Sequence, residues 1–195
     1  MVLSVIGDSE NLVPSPWPKT VFQMALIEAA RNGGETWILY RGKEEGLSKV
    51  VREAYKSYEE MEFKTDSDKK KEMDDKDRHV KLIKIAGIKN KESTSCNLKP
   101  APTVEKLQLD SDFKTSIGEG DEFLWKFEKF VSEQTVAFFS HKMDTKMPVP
   151  IAVIVCEGDL KTIEHISIAL KNEIPVIIMK GSGMAADLVC ERLQK

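Results

Sequence analysis

The sequence predicts a doubly wound α/β fold, a mostly parallel sheet with helices on both faces. Three observations predict it. Two short apolar runs near the end, Ile151-Ala152-Val153-Ile154-Val155-Cys156 and Val176-Ile177-Ile178-Met179, do not alternate polar with apolar residues. Uninterrupted runs of this kind mark strands covered on both faces. Each run closes on a glycine-containing turn and leads into an amphipathic helical pattern, giving two consecutive β-turn-α units. The same order of apolar run, glycine turn and helix opens the chain, with turns at Gly7 and at Gly42 to Gly46. Open sheets of this class bind ligands outside the carboxyl ends of their strands, so the turns are where a site is expected.

Length and composition set the outer limits. The 195 residues are expected to form a single domain, residues 1–195, long enough to bury a core. A hydrophobic content of 41%, a charged content of 31% and a net charge of −3 describe a soluble globular chain. They give no field that would draw nucleic acid or an anionic membrane. No apolar run approaches the roughly 20 residues that span a bilayer, so direct membrane insertion is not expected. Residues 1–7 are apolar but lack a basic leader and a cleavage-site pattern, and read as a first strand rather than a signal peptide. Cys96, Cys156 and Cys190 are widely spaced and form no CxxC or Cys/His cluster. They point to buried thiols in a reducing, cytoplasmic setting and to no metal site.

Residues 2–6 are the first strand. Pro14, Pro16 and Pro18 break regular structure, with Pro18 suited to a helix start. Over residues 19–31, Val21, Phe22, Ala25, Leu26 and Ala29 recur at helical spacing until Asn32-Gly33-Gly34 stops the helix. Residues 37–40 are the second strand. In the helix that follows, Leu47, Val50, Val51, Ala54, Tyr55 and Tyr58 form one apolar stripe. Residues 64–78 carry twelve charges in fifteen positions, six of each sign, and read as a solvated insert. Residues 80–88 resume as a strand, and 90–121 read as loop with a short strand near 104–109. Residues 122–138 read as a helix with Phe123, Leu124, Phe127, Phe130 and Val131 facing the sheet and Lys126, Glu128, Lys129 and Glu133 facing solvent. Residues 141–147 read as a linker. The expected total is five or six strands and about five helices.

Four strand-exit turns carry glycine: Gly7-Asp8-Ser9, Gly42 to Gly46, Gly158-Asp159 and Gly181-Ser182-Gly183. In a doubly wound sheet they collect along one edge. Without Cβ, the backbone amides can close on a phosphate, and a following helix N-terminus adds partial positive charge. Gly181-Ser182-Gly183, directly before a helix, is the best placed, with Ser182 and Lys180 as added donors. For any one turn the plainer reading is a tight βα connection. Asp8 and Asp159 at the mouth would repel phosphate unless Lys43, Lys161 or Lys180 neutralises them. His79, His141 and His165 have no partnering Asp or Cys spacing, and no GxSxG, Walker A, HExxH or GxGxxG pattern occurs. No catalytic residue is therefore assigned.

With these turns in view the chain resembles a known family. The matching pieces are Leu3-Ser4-Val5-Ile6-Gly7, Trp37-Ile38-Leu39 with Gly42 and Gly46, and Phe127-Glu128-Lys129-Phe130-Val131-Ser132-Glu133-Gln134. They continue with residues 148–158 and with Val176-Ile177-Ile178-Met179-Lys180-Gly181-Ser182-Gly183-Met184-Ala185-Ala186-Asp187-Leu188. The whole resembles the N-terminal cytosolic homology region of melastatin-type TRP cation channels, within the SLOG, or lysine-decarboxylase-like, superfamily. Nearly the whole chain is covered, apart from the charged insert and the loop from 90 to about 121.

The resemblance implies a Rossmann-like fold and a regulatory module on the cytosolic face of a channel. It also implies ADP-ribose or a related nucleotide as ligand, a part in gating or subunit assembly, and homo-oligomer or channel-subunit partners. It is the source of the ligand set expected here: Gly7, Asp8, Arg41, Gly42, Gly46, Gly158, Lys161, Thr162, Gly181, Ser182 and Gly183. The sequence departs from the family pattern where Arg41 stands for a glycine of the second turn. It departs again where Asp159-Leu160-Lys161-Thr162 keeps only the threonine of a Gly-Pro-Gly-Thr turn, and the family's Asp-Asp-Gly-Thr segment is not recognisable in residues 113–120. His165 falls where the superfamily's phosphoribohydrolases carry their catalytic Glu, which disfavours a nucleotide-processing hydrolase. Two readings stay open: a nucleotide sensor, and a degenerate module serving only as a protein-interaction scaffold.

Overall fold

The computed structural model describes residues 1–8, 17–65, 79–85, 120–140 and 143–194. Its centre is a five-stranded parallel sheet built from β1 (Val2–Ile6), β2 (Thr36–Tyr40), β3 (Val80–Lys84), β6 (Ile151–Val155) and β7 (Val176–Ile178), in the order β3-β2-β1-β6-β7. A separate antiparallel pair, β4 (Thr135–Ser140) with β5 (Met143–Pro148), stands outside it. Helices α1 (Lys19–Asn32), α2 (Leu47–Thr65), α3 (Gly120–Ser132), α4 (Leu160–Lys171) and α5 (Met184–Leu193) make the connections. The chain runs outward from β1 to β3, then returns to β1's other side as β6. The order of strands reverses there, between β1 and β6.

Side chains of successive strand residues point to opposite faces, so an unbroken apolar strand feeds two cores at once. Leu3 and Val5 join Ile38, Tyr40 and Leu82 under Phe22, Leu26, Val51 and Tyr55 of α1 and α2. Val2 and Ile6 join Leu39, Ile83, Val153 and Val155 under Leu124, Ile166 and Ala169 of α3 and α4. Between Val2 and Ile6 sits Ser4, fully buried in the middle of the central strand.

The doubly wound class holds, and several expectations need correction. The helix expected over 122–138 ends at Ser132, because the β-branched and aromatic run Thr135-Val136-Ala137-Phe138-Phe139 takes the strand conformation instead. Residues 143–148, read as linker, are its partner strand, so the described residues hold seven strands rather than five or six. Val136 and Met147 face each other across this pair and are both exposed. Phe130, expected on the core side of α3, is 58% exposed, while Glu128, expected in solvent, is 1% exposed. Cys156 is buried but Cys190 is only partly so. Helix α2 runs two residues into the charged insert, and the strand expected over 80–88 is assigned as Val80–Lys84. The remainder of the insert, the strand near 104–109, Cys96 and His141 lie outside the described residues.

The backbone crossing at the switch point is tight. Gly7 has φ +133°, and a Cβ on it would lie 1.7 Å from the carbonyl oxygen of Cys156. Gly34 also has positive φ, +70°, but a Cβ there would meet nothing within 4 Å. Gly7→Ala is expected to cost about 3 kcal/mol or more, from clash and strain together. Gly34→Ala is expected to cost only about 1–2 kcal/mol, from backbone strain alone. Urea denaturation of the two variants checks this; equal losses would show that the close approach at Gly7 is not the constraint described.

Candidate ligand site at the sheet switch point

A cleft opens over the carboxyl ends of β1 and β6, enclosing about 350 Å³ with its open mouth included. The β1 exit contributes Ile6, Gly7 and Asp8; the β2 exit contributes Arg41 and Lys43. The start of α3 contributes Asp121, and α4 with its cap contributes Asp159, Lys161, Thr162 and His165. Three of the four glycine turns therefore meet here. Gly42, Gly46 and Gly158 shape those turns, each with positive φ, without lining the cleft themselves.

The fourth turn, Gly181-Ser182-Gly183, is not part of the lining. Its polar groups have partners within the protein. The Gly181 amide donates to Asp187 Oδ1 at 2.6 Å, and Ser182 Oγ donates to the Met179 carbonyl at 2.7 Å. The same hydroxyl accepts the Glu157 amide at 2.9 Å. The first amides of α5 are also engaged: Ala186 N–H donates to the Glu157 carbonyl at 2.9 Å, and Ala185 N–H to that of Gly158 at 3.4 Å. This turn locks β7 and α5 onto the β6 exit.

The starts of α2 and α4 beside the cleft are capped by carboxylates. Asp8 accepts the Ser48 amide at 2.9 Å and also its hydroxyl, at the N-terminus of α2. Asp159 caps α4: its side chain accepts the Thr162 amide at 3.2 Å, while Thr162 Oγ accepts the Asp159 amide at 3.2 Å. A carboxylate at a helix N-terminus satisfies free amides and meets the positive end of the helix dipole. At both aspartates the helix end offsets part of the repulsion a carboxylate exerts on an anion. Arg41 forms an ion pair with Asp121 in the first turn of α3.

At the cleft wall, reached through His165, lies a buried polar network that sequence reasoning missed. Glu128 of α3 accepts the hydroxyl of Ser4 on one carboxyl oxygen, and its Oε2 lies 2.6 Å from His165 Nε2. Trp125 packs edge-on against the His165 ring, with centroids 5.7 Å apart. The order is Ser-Glu-His, with the carboxyl group in the middle. Ser4 is bonded to the acid and not to the imidazole, so this arrangement does not activate a nucleophile as a Ser-His-acid relay would. It ties the central strand to α3 and α4. Glu157, an acid/base candidate by position, is buried in a positive-φ conformation, and its Oε1 accepts the Trp17 indole N–H at 2.5 Å. Burial, and secondarily Glu157, push the neighbouring Cys156 thiol well above its ordinary range, so it stays protonated and inert. Among the described residues no group of three or more His, Cys, Asp or Glu side chains is placed to hold a metal.

Removing Glu128 strands two buried polar partners. Glu128→Ala is expected to destabilise the fold by about 3 kcal/mol. Glu128→Ala and His165→Ala together are expected to cost less than the sum of the two singles, with a coupling of about 1 kcal/mol or more. Strict additivity in a urea double-mutant cycle would mean that the network does not hold α3 to α4.

Comparison with known proteins places this geometry in a lineage. A family model described as SLOG in TRPM matches residues 1–194. The chain is 27% identical over 210 residues to the transient receptor potential cation channel subfamily M member-like 2 of Nematostella vectensis, covering 97% of this chain and 13% of that protein. It is 28% identical over 213 residues to the subfamily M member 2 of Rattus norvegicus, covering 98% of this chain and 13% of the relative. With member 4 of the same species the identity is 26%, over all of this chain and 17% of that protein. The chain therefore spans about 13–17% of the length of these relatives. No helix among the described residues is long and apolar enough to cross a membrane. A match over essentially the full chain, on a doubly wound sheet with its cleft at the switch point, makes this protein a member of the SLOG family of melastatin-type TRP channels.

Proposed function

We propose that this domain is a non-enzymatic, ligand-sensing module of a melastatin-type cation channel, contributing to gating or subunit assembly from the cytosolic side. Its ligand is a phosphate-bearing nucleotide of the ADP-ribose type, held at the β1/β6 switch point. One observation carries the reading: Arg41, Lys43 and Lys161 converge with the Thr162 hydroxyl on one cleft. Basic side chains with a hydroxyl over the carboxyl ends of parallel strands suit an anion. Gly7 lets the β1 exit lie against the Cys156 carbonyl, which brings the β1 and β6 exits together beneath the cleft. The Gly181-Ser182-Gly183 turn supports the site indirectly, by fixing the β6 exit.

The names of the relatives, cation channels of subfamily M, support the channel context. Hydrolysis is not proposed: Glu157 is committed to Trp17, and Glu164 is exposed on α4 outside the cleft lining. A second reading, the interaction scaffold, is favoured by a different observation. The first turns of α2, α4 and α5 already have acceptors from the protein itself, so a phosphate finds fewer backbone donors than the fold usually offers.

Calorimetric titration with ADP-ribose, AMP and ATP separates the two. The sensor reading expects saturable micromolar binding of one of them. Lys161→Ala is then expected to weaken it about tenfold, one charge-assisted contact's worth. A flat titration at millimolar ligand leaves the scaffold.

A further inference from the structure

We propose that His165 is a specificity-determining residue of the cleft: its Nδ1 accepts a hydroxyl of the ligand, so that the site takes a phosphorylated sugar in preference to a bare phosphate. This rests on the reading of the cleft as an anion site. Lys161, Thr162 and His165 lie on α4 at spacings of three and four residues, on one side of the helix, and all three line the cleft. The His165 side chain is 4% exposed, and its Nε2 lies 2.6 Å from Glu128 Oε2. The other ring nitrogen, Nδ1, has no hydrogen-bond partner among the described residues. Nδ1 is not one of the sealed polar atoms, so the small open part of the ring includes it, on the wall of the cleft. A polar atom left unpaired on so buried a side chain is a position where a ligand group gains most.

The hydrogen-bond network assigns the tautomer. Glu128 accepts the Ser4 hydroxyl on one oxygen and offers the other to the imidazole. A carboxylate only accepts, so the ring hydrogen belongs on Nε2, and the uncharged imidazole presents a lone pair at Nδ1. Trp125 packs edge-on against the ring and fixes its plane, with centroids 5.7 Å apart. The acceptor is therefore held from behind by α3 and by the central strand, and its direction is set before any ligand arrives.

The remaining lining shows what such an acceptor is for. Arg41, Lys43 and Lys161 only donate, which suits phosphate oxygens and offers nothing to a hydroxyl hydrogen. Asp8, Asp121 and Asp159 are anionic acceptors, unfavourable close to a phosphate. An uncharged acceptor one helical turn from Lys161 suits the hydroxyl that a sugar carries beside its phosphate. A site built to take a hydroxyl discriminates against a ligand that lacks one, because the protein atom is then left unpaired.

The full chain, as wild type and as His165→Gln, is titrated with ADP-ribose and with sodium pyrophosphate, which carries no sugar. The glutamine can still donate an amide hydrogen to Glu128 where Nε2 stood, but has no acceptor at the Nδ1 position. The ratio of ADP-ribose affinity to pyrophosphate affinity is expected to fall about fivefold in His165→Gln, the value of one neutral hydrogen bond. Ring-nitrogen NMR of the wild type, at about pH 8 and so above the ordinary imidazole range, needs no variant to fold. There the His165 Nδ1 signal is expected to be that of an unprotonated nitrogen, and to move on saturation with ADP-ribose but not with pyrophosphate. A protonated Nδ1, a signal unmoved by ADP-ribose, or an unchanged affinity ratio overturns the role of His165 and leaves the anion site standing. If neither ligand binds wild type at millimolar concentration, the anion site falls and this role with it.

Discussion

The contact on which this molecule depends is the side-by-side pairing of β1 with β6. It joins the second residue of the chain to residue 151 and runs in register from Val2 opposite Ile151 to Ile6 opposite Val155. On one side of it β2 and β3 extend the sheet to an edge, and β6 and β7 complete the other. The pairing is close enough at its carboxyl end that Gly7 admits no side chain against the Cys156 carbonyl. Two strand exits that nearly touch, each turning away into a different helix layer, leave a crevice above them. The cleft is a consequence of strand order before it is a consequence of any particular side chain.

What fills the rim of that crevice decides its chemistry. Besides α3, three helices start near it, and each of these starts is answered from within the protein: Asp8 at α2, Asp159 at α4 and the backbone of residues 157–158 at α5. Each acceptor contributes locally to stability, on the order of 1 kcal/mol for a helix cap. Each also removes a donor that a phosphate would otherwise use. The anion proposed for this site would therefore be met mainly by side chains, Arg41, Lys43 and Lys161 of the lining.

The buried Ser4–Glu128–His165 network explains why two helices on one face act as a unit. A carboxyl group that is 1% exposed is costly to bury unless its oxygens are engaged, and here one meets the central strand and the other meets α4. The network fixes the middle of α3, and Leu124 anchors the start of the same helix in the core.

Much of this architecture is written in local sequence. The apolar runs at 2–6, 37–40 and 151–156 announce parallel strands because strands buried on both faces have no polar alternation to show; the run at 176–179 is also a strand, but at the sheet edge with Ile177 half exposed rather than covered on both faces. The stripe from Leu47 to Tyr58 announces α2, and the glycine turns mark the carboxyl edge of the sheet. The resemblance in residues 127–134 and 176–188 reached the family before any coordinates. Local sequence failed where two local preferences overlapped: Phe127, Phe130, Val131 and Phe138 continue a helical spacing, yet the run from Thr135 pairs with Met143–Pro148 as a hairpin. It failed again wherever the answer depended on a partner far along the chain. Nothing near Glu128 says that Ser4, 124 residues away, will turn it inward. Nothing in Gly181-Ser182-Gly183 says that Asp187, Met179 and Glu157 will use its donors and acceptors. The sequence by itself determined the strands, most of the helices and the edge where a ligand would sit, because periodicity and turn chemistry are local. Which polar groups at that edge are already satisfied was decided only by the tertiary structure, because hydrogen-bond partners are set by what the fold brings together.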